Sequence, residues 1–531
     1  MTGTAHPAGQ AGLREQVRAL LSDAVDAYRG TPAEAPLRHE LGRVDGPLRV
    51  AIAGRVKAGK STLLNALVGE QVAATDATEC TRVVTAYTEG EREAAWAYLR
   101  EGSVVEVALR RTPGSTHVDL AGHGEGEVEA LRVELPSPRL RRLTLIDTPG
   151  IASLSEELSR HTESFLLPGS GWQAGRPPGR SPRGPSAPAE AAGDAAAGGI
   201  GVGADAVLYL LRFLHASDVG FLESFRRTGV GEATPAHAIG VLSRADEVAP
   251  GRTESVDLAR RAAADIGRDD RVRALVQTVV PVAGLLAQAG SRLTTDELAQ
   301  FLVLAAEPAE VADELLLSAD RFASPAAATG VPAPLRALLL DRLGLAGVRL
   351  AVALVRLGDA RDPAGLAAEL AARSGLPELR ALLRDQFTDR ADVLKAQHAL
   401  GVLDDVLDEF PHRSVAALRA RRERLEAGAH ALAELRLLGD LRTGVADVGS
   451  LGEDRRREME RLLGTNGTGA HPRLGLPPGA GPDEVRAAVL EALDTYRRLS
   501  ENKLAARPIR RAATVVRRTC EGLLRAAGTG G

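Results

Sequence analysis

The sequence has almost no cysteine and very few aromatic residues. Its two cysteines, Cys80 and Cys520, lie far apart in 531 residues, which favours a reducing cytosol over a disulfide-stabilised secreted protein. Aromatic side chains make up only 3% of the chain, so leucine, alanine and valine must form the core. The net charge of −4 provides no overall positive field. We therefore expect no nucleic acid partner.

Signals for secretion and for membrane insertion are also missing. The N-terminal stretch MTGTAHPAGQAG lacks the basic and apolar regions of a signal peptide. The longest largely apolar stretch, 335–357, is interrupted by charged residues, so it cannot simply span a bilayer. We expect a cytoplasmic protein whose contact with a membrane, if it has one, is peripheral.

A candidate phosphate-binding loop lies between Leu48 and Leu67. An apolar run at 50–53 is followed by the pattern G-x-x-x-x-G-K-S and then by leucines at helical spacing. This order of strand, loop and helix directs backbone N–H groups and a helix N-terminus at phosphate oxygens. Lys60 is predicted to reach the β- and γ-phosphates, and Ser61 to bind Mg²⁺. The candidate nucleotide-binding residues here are Gly54, Arg55, Val56, Lys57, Ala58, Gly59, Lys60, Ser61 and Thr62.

Lys57 lies inside this loop, two residues before Gly59. A cation at this position can offset charge on the β–γ bridging oxygen during hydrolysis, as an arginine finger does. The alternative is a solvated surface lysine without a catalytic role. We predict Lys57, Lys60 and Thr81 as the catalytic residues.

Two further stretches predict a metal site and a nucleotide-dependent switch. Asp147 begins the sequence D-T-P-G directly after an apolar run, so it lies at the carboxyl end of a predicted strand, where open α/β sheets bind ligands. We expect Asp147 at the Mg²⁺ shell and the Gly150 N–H near the γ-phosphate. Thr81, in a polar loop, is a candidate to complete the Mg²⁺ shell together with Ser61. Thr78 is an alternative to Thr81 for this role.

A fourth stretch predicts recognition of guanine. Asp246 closes the sequence Ser243-Arg244-Ala245-Asp246 after an apolar strand-like run. Its carboxylate can accept hydrogen bonds from guanine N1–H and the 2-amino group, a donor pair that adenine lacks. The usual motif has Asn or Thr, then Lys, where Ser243 and Arg244 stand, but the stem of Arg244 can still cover the base. Ala283 lies where a backbone contact to the base is expected. The predicted substrate is GTP, with Mg²⁺ as cofactor.

Strand and helix patterns alternate between residues 46 and 294. They predict an α/β P-loop GTPase domain with a doubly wound, mostly parallel sheet. Within it, residues 168–203 are dominated by Pro, Gly, Ser and Ala and predict a disordered insertion. This insertion is either a solvated linker or a segment whose arginines touch an anionic surface.

Only helical periodicity follows residue 295. We expect a helical region over 295–375 that closes the GTPase domain. An elongated helical bundle is expected over 376–531, with a tip loop at 464–482 and a basic C-terminal helix. The first segment, 1–45, contains an amphipathic helix over 11–28 that needs a partner and is predicted to join this bundle.

Together these motifs resemble those of bacterial dynamin-like GTPases of the kind found in actinobacteria. The resemblance is carried by GRVKAGKSTLLNALVGE, ECTRVVT, LIDTPG, DAVLYLLR and LSRADEV, and the flanking helices are similar to a coiled-coil-like neck and trunk. It implies low-affinity GTP binding and hydrolysis promoted by dimerisation of the GTPase domain. It also implies assembly with itself or with a paralogous dynamin-like protein. The implied function is membrane remodelling, tethering or division-associated membrane work at the inner face of the cell membrane.

Three segments are candidates for contact with an anionic membrane surface: 335–357, 464–482 and the basic C-terminal region. Each can equally be part of a helix bundle with a solvated charged face. A soluble regulatory GTPase switch that binds a protein or ribosomal partner is the alternative function. A further alternative is an assembly protein that binds GTP, hydrolyses it poorly and works with an active paralogue.

Overall fold

The chain was analysed as a computed structural model. The residues that the structure describes are 12–70, 72–73, 83–112, 115–120, 122–124, 126–149, 203–228, 234–248, 255–290, 293–327, 329–445 and 448–528. Thr78, Thr81, Gly150 and residues 168–202 of the predicted insertion lie outside them.

Within the described residues, ten strands form one sheet in the order β10-β9-β8-β1-β7-β2-β6-β3-β4-β5. The strands are β1 (Leu48–Gly54), β2 (Val84–Glu89), β3 (Ala94–Leu99), β4 (Val104–Thr112), β5 (Ser115–Asp119), β6 (Val128–Leu135), β7 (Leu143–Asp147), β8 (Ala206–Leu211), β9 (Ala238–Ser243) and β10 (Val279–Val282).

The sheet has a parallel half and a mixed half. Strands β10, β9, β8, β1 and β7 are all parallel, which confirms the doubly wound arrangement around the phosphate-binding loop. Beyond β7, only the β2–β6 pair is parallel, and the other four pairs are antiparallel. The sheet is therefore mixed, because short connections between 84 and 135 favour hairpins over crossovers.

Helices cover both faces of this sheet and continue beyond it. They are α1 (Leu13–Ala27), α2 (Glu34–Asp45), α3 (Lys60–Val68), α4 (Ala216–Thr228), α5 (Ser255–Arg268), α6 (Asp270–Arg273), α7 (Gly284–Ala289), α8 (Thr295–Ala306), α9 (Ala309–Leu315), α10 (Ala319–Ala323), α11 (Ala333–Leu357), α12 (Pro363–Ala372), α13 (Leu376–Leu382), α14 (Ala391–Glu409), α15 (Val415–Gly428), α16 (His430–Thr443), α17 (Glu453–Leu462), α18 (Ala470–Leu474), α19 (Pro482–Glu501) and α20 (Arg507–Gly528).

The alternation of side chains along β1 assigns its two faces to two different cores. Val50 and Ile52 join a core that contains α3, α13 and the helices from α16 to α20. Ala51 and Ala53 join a core that contains α4, α5, α8 and α11. Because a strand directs successive side chains to opposite faces, the apolar run at 50–53 within β1 must be buried on both sides.

A third core joins the N-terminal helices to helices that follow the sheet domain. Apolar residues of α1 and α2, Leu20 and Leu37 among them, pack with Leu403 of α14 and Leu418 of α15. The hydroxyl of Tyr28 donates to the carbonyl oxygen of Phe410 at 2.8 Å. In the structure, the first helix therefore packs against α14 and α15. The limits predicted for the four segments of the chain stay predictions.

Several helices differ in detail from their sequence patterns. Helix α2 was not predicted, because the Pro-containing stretch 31–36 indicates only the end of the preceding helix. Pro36 lies in the first turn of α2, where a missing N–H costs no intrahelical hydrogen bond. The long pattern at 376–409 is divided by a π-helical turn, Leu383–Thr388. Within the described residues, no helix is both long enough and apolar enough to cross a bilayer.

Candidate nucleotide-binding site

The predicted site residues that the structure describes lie at one edge of the sheet. The phosphate-binding loop follows β1, Asp147 ends β7, the 243–246 stretch follows β9 and Ala283 follows β10. These four strands belong to the parallel half, so their carboxyl ends meet at the same edge. Ligands of open α/β sheets bind at that edge.

The phosphate-binding loop is held tightly against the neighbouring strand. A Cβ added to Gly54 would lie 2.6 Å from the carbonyl oxygen of Leu210 in β8, so only glycine fits at this position. Gly59 has a left-handed backbone and directly precedes α3. The loop therefore places the N-terminus of the nine-residue helix α3 at the sheet edge. The N–H groups and the dipole of the helix favour the binding of phosphate there.

The amino group of Lys60 lies inside the curve of the loop. It donates to the carbonyl oxygens of Gly54 and Arg55, each at 3.3 Å, and the residue is buried. These bonds orient the ammonium group within the loop. A phosphate bound there would meet a positioned cation.

Oxygen donors suited to Mg²⁺ lie on α3 and on β7. Ser61 follows Lys60 in the first turn of α3. Asp147 ends β7, is 1% exposed and pairs with Ile52 of β1 in the sheet register. The hydroxyl of Thr148 donates to the carbonyl oxygen of Ile52 at 3.0 Å, which fixes the D-T-P turn to β1. A hydroxyl and a carboxylate fit the preference of Mg²⁺ for few protein oxygens beside phosphate oxygens.

Lys57 and Arg244 share an unusual backbone. Their φ angles are 63° and 52°, and no other non-glycine residue among those described has a positive φ. Lys57 is exposed at the tip of the phosphate-binding loop. Because left-handed backbone costs free energy for a residue with a Cβ, such positions concentrate at functional sites.

The stretch 243–246, in which base recognition is predicted, begins at Ser243, the last residue of β9. The hydroxyl of Ser243 donates to the carbonyl oxygen of Leu211 at 3.2 Å, so it ties β9 to β8. Asp246 is 8% exposed, and burial raises the pKa of its carboxyl. Glu247 forms ion pairs with Arg212 and Arg244, at 2.5 and 2.7 Å. The guanidinium of Arg244 is therefore fixed beside Asp246 at the rim of the site.

Ala283 is placed at the sheet edge, but its N–H is already used. It donates to the carbonyl oxygen of Ser374 at 2.8 Å. Ser374 lies in the turn between α12 and α13. A base contact through this N–H would need to replace that hydrogen bond, and the contact stays a prediction.

Asn65 of α3 was not predicted and has a clear structural role. It is 1% exposed and its Oδ1 accepts from the N–H groups of Val72 and Ala73, both at 2.8 Å. Its Nδ2 donates to the carbonyl oxygen of Ala73 at 2.9 Å. Asn65 thus fixes the start of the loop that contains Thr81. The only signal in the sequence was a polar residue within the otherwise apolar stretch L-L-N-A-L-V of α3.

The fold and the site define a P-loop nucleotide-binding protein, and comparison with known proteins assigns its family. The family model of the dynamin family matches residues 50–170. The chain is 36% identical to isoniazid-induced protein IniC of Mycobacterium tuberculosis over 520 residues, which cover 97% of each chain. A similarity of this extent is sufficient for assignment, and the chain belongs to the dynamin family as a dynamin-like GTPase.

Two more distant similarities were also found. Isoniazid-induced protein IniA of Mycobacterium tuberculosis is 39% identical over 118 residues, which are 21% of this chain and 18% of that protein. A solved structure of an oligomerised bacterial dynamin pair aligns at a TM-score of 0.32 and 12% identity, over 99% of this chain and 92% of that one. The family assignment rests on the similarity to IniC.

Proposed function

We propose that this protein binds GTP with Mg²⁺, hydrolyses it to GDP and phosphate, and couples the nucleotide cycle to self-assembly on an anionic membrane. The observation that carries the first part is the meeting of Lys60, Ser61, Asp147 and Asp246 at one sheet edge. The groups proposed to bind phosphate, Mg²⁺ and guanine therefore lie at the ends of strands in the same parallel half of the sheet.

Each residue has a separate task in this proposal. Lys60 and the N-terminus of α3 bind the phosphates, and Ser61 and Asp147 hold Mg²⁺, which supplies charge neutralisation when bound. Lys57 offsets charge on the bridging oxygen, and Thr81 completes the metal shell. Gly150 senses the γ-phosphate.

Base selection by Asp246 is tested by the substitution Asp246→Asn. An amide donates where a carboxylate accepts, so the variant should lose affinity for GTP by about tenfold or more and gain affinity for XTP. Asp265→Asn makes the same chemical change at an exposed position of α5, outside the site, and should leave the preference for GTP intact. Binding of fluorescent nucleotides measures both. Equal loss in the two variants, with no gain for XTP, would contradict guanine recognition by Asp246.

Assembly is tested by the dependence of turnover on protein concentration. If GTPase domains stimulate one another across a self-association interface, phosphate release per chain should rise with concentration. A rate per chain that stays constant would contradict this coupling. The same experiment with a paralogous dynamin-like protein added distinguishes self-assembly from assembly of a mixed pair.

Membrane action is supported by the turn between α19 and α20. Leu504 in this turn is 97% exposed, and the neighbouring residues Lys503, Arg507 and Arg511 are exposed cations. An apolar side chain within a group of cations suits the interface of an anionic bilayer. Co-sedimentation with vesicles that contain phosphatidylglycerol tests this part. Absence of binding with and without GTP would favour the alternative, a soluble regulatory switch acting on a protein or ribosomal partner.

A further inference from the structure

Helix α11 contacts both elements that follow the base-binding strands. It packs against the turn Ala245–Glu247, which contains Asp246, and against α7, which follows Ala283. Leu286 of α7 and Leu343 of α11 are buried in the same core. Helix α11, which follows the sheet domain in sequence, is therefore in direct contact with the site proposed to bind the base.

Helix α11 is broken at the point of contact. Gly344 has φ 68° and ψ 168°, whereas the residues around it are helical. This combination of angles is essentially restricted to glycine. An added Cβ at Gly344 would lie 3.5 Å from Oδ2 of Asp246 and 3.6 Å from Cδ1 of Leu285. The break thus brings the main chain of α11 against the carboxylate of Asp246.

A second glycine, Gly347, lets α11 approach α7 closely. A Cβ added to Gly347 would lie 2.9 Å from Cδ2 of Leu286, too close for an unchanged packing. Two small residues one turn apart therefore let α11 lie against the turn that carries Asp246 and against α7 at once. Asp246 has little freedom to move because it is buried between its own turn and α11.

We propose that the break of α11 at Gly344 positions the Asp246 carboxylate for guanine, which makes Gly344 a positioning residue for base selection. This inference rests on the proposed binding of GTP. Two hydrogen bonds from one base edge to one carboxylate require a fixed orientation. A side chain at position 344 would strain the break, because its backbone angles are essentially restricted to glycine, and relief of that strain would shift α11 relative to Oδ2 of Asp246.

The experiment compares GTP with ITP, whose base lacks the 2-amino group. The ratio of the two dissociation constants reports the hydrogen bond from that group, and it does not depend on the fraction of chains that is folded. Gly344→Ala should reduce the advantage of GTP over ITP by about tenfold. Gly358→Ala is the matched control, because Gly358 ends the same helix with φ 77° and has nothing within 4 Å of an added Cβ.

If Gly344→Ala does not fold, Gly347→Ala gives a second measurement, since it also displaces α11 from the base site. A reduced ratio in Gly344→Ala or Gly347→Ala, with a wild-type ratio in Gly358→Ala, supports the proposal. Wild-type ratios in the variants that fold, or an equal reduction in Gly358→Ala, overturn it. A wild-type chain that binds GTP no better than ATP would overturn the proposed function itself, and with it this inference.

Discussion

The guanidinium of Arg244 donates to the carbonyl oxygen of Lys57, with 3.4 Å between Nη2 and the oxygen. This long hydrogen bond joins the only two described non-glycine residues with positive φ. One lies in the phosphate-binding loop and the other in the base-recognition stretch. Contact between the two stretches helps to hold Lys57 in its left-handed backbone, with its side chain exposed at the tip of the loop.

Replacement of Lys57 separates the contribution of its charge from that of its backbone. Lys57→Gly removes the cation and suits the left-handed backbone, so the loop should keep its shape and its affinity for GTP. Turnover should fall by about tenfold to a hundredfold if the cation stabilises charge in the transition state. Single-turnover hydrolysis and nucleotide affinity measure the two effects separately.

Lys57→Arg is the matched control for this variant, because it restores the cation on the same backbone. It should recover most of the turnover that Lys57→Gly loses. If Lys57→Gly hydrolyses GTP at the wild-type rate with unchanged affinity, Lys57 is a surface lysine and the proposed catalytic role is wrong.

Asn65 provides a test of the loop that contains Thr81. Asn65→Ala leaves the N–H groups of Val72 and Ala73 without their acceptor, at a cost of about 1–3 kcal/mol for each buried group. We expect a marked loss of hydrolysis with a smaller loss of GDP affinity, because the binding of GDP does not need the loop that contains Thr81. Amide hydrogen exchange at residues 72 and 73 should become faster.

Asn65→Asp is the informative companion substitution. Its carboxylate still accepts from both N–H groups but cannot donate to the carbonyl oxygen of Ala73. Hydrolysis should therefore lie between the wild type and Asn65→Ala. Equal GDP and GTP defects in Asn65→Ala would indicate damage to α3 rather than to the loop.

Local patterns were sufficient to predict where the candidate site residues lie on the sheet, whereas contacts between distant parts of the chain could not be predicted from them. Gly54, Lys60 and Ser61 belong to one motif, and Asp147 and Asp246 each follow an apolar strand, so each position is set by a few neighbouring residues. The break at Gly344 depends instead on packing against residues that are distant in sequence. A glycine within a helical pattern does not reveal which partner lies opposite.

A buried cluster of charged residues likewise could not be predicted from local sequence patterns. Arg43 of α2 donates to Asp205 at 2.8 Å and to Glu40 at 3.1 Å, and it also contacts Nε2 of His398 in α14. Asp205 in turn accepts from the N–H of Arg49 at 2.8 Å. These residues lie in separate parts of the chain. The cluster joins the N-terminal helices, the sheet and α14.

Three histidines in or near this cluster should make the fold sensitive to acid. Burial lowers the pKa of His39 to about 3 and of His237 to about 4, and it lowers the pKa of His398 well below 6.5. Unfolded histidines protonate near 6.5, so the unfolded state binds more protons below that pH. Stability is therefore present above about pH 6.5 and is lost as pH falls toward 4. Glu40 opposes this loss in part, because burial raises the pKa of its carboxyl.

The substitution His398→Gln tests one of these effects. Glutamine has no titrating group and can still accept a hydrogen bond from Arg43. Between about pH 5 and pH 6, the free energy of unfolding of the variant should vary less steeply, by up to about 1.4 kcal/mol per pH unit. Urea unfolding across this range measures the slope. Parallel curves for wild type and variant would show that His398 is not the source of the acid sensitivity.

Membrane contact through the α19–α20 turn predicts that Leu504 is more important than other exposed leucines. Transfer of a leucine side chain from water into an apolar environment is worth about 1.5–3 kcal/mol. Leu504→Ser should therefore weaken binding to vesicles that contain phosphatidylglycerol by about tenfold or more. Leu490→Ser is the control, since Leu490 is also exposed, at 45%, but lies within α19 rather than in the turn. Equal vesicle binding by both variants and the wild type would exclude this turn as the membrane contact, whereas equal loss in both would point to the face of α19 instead.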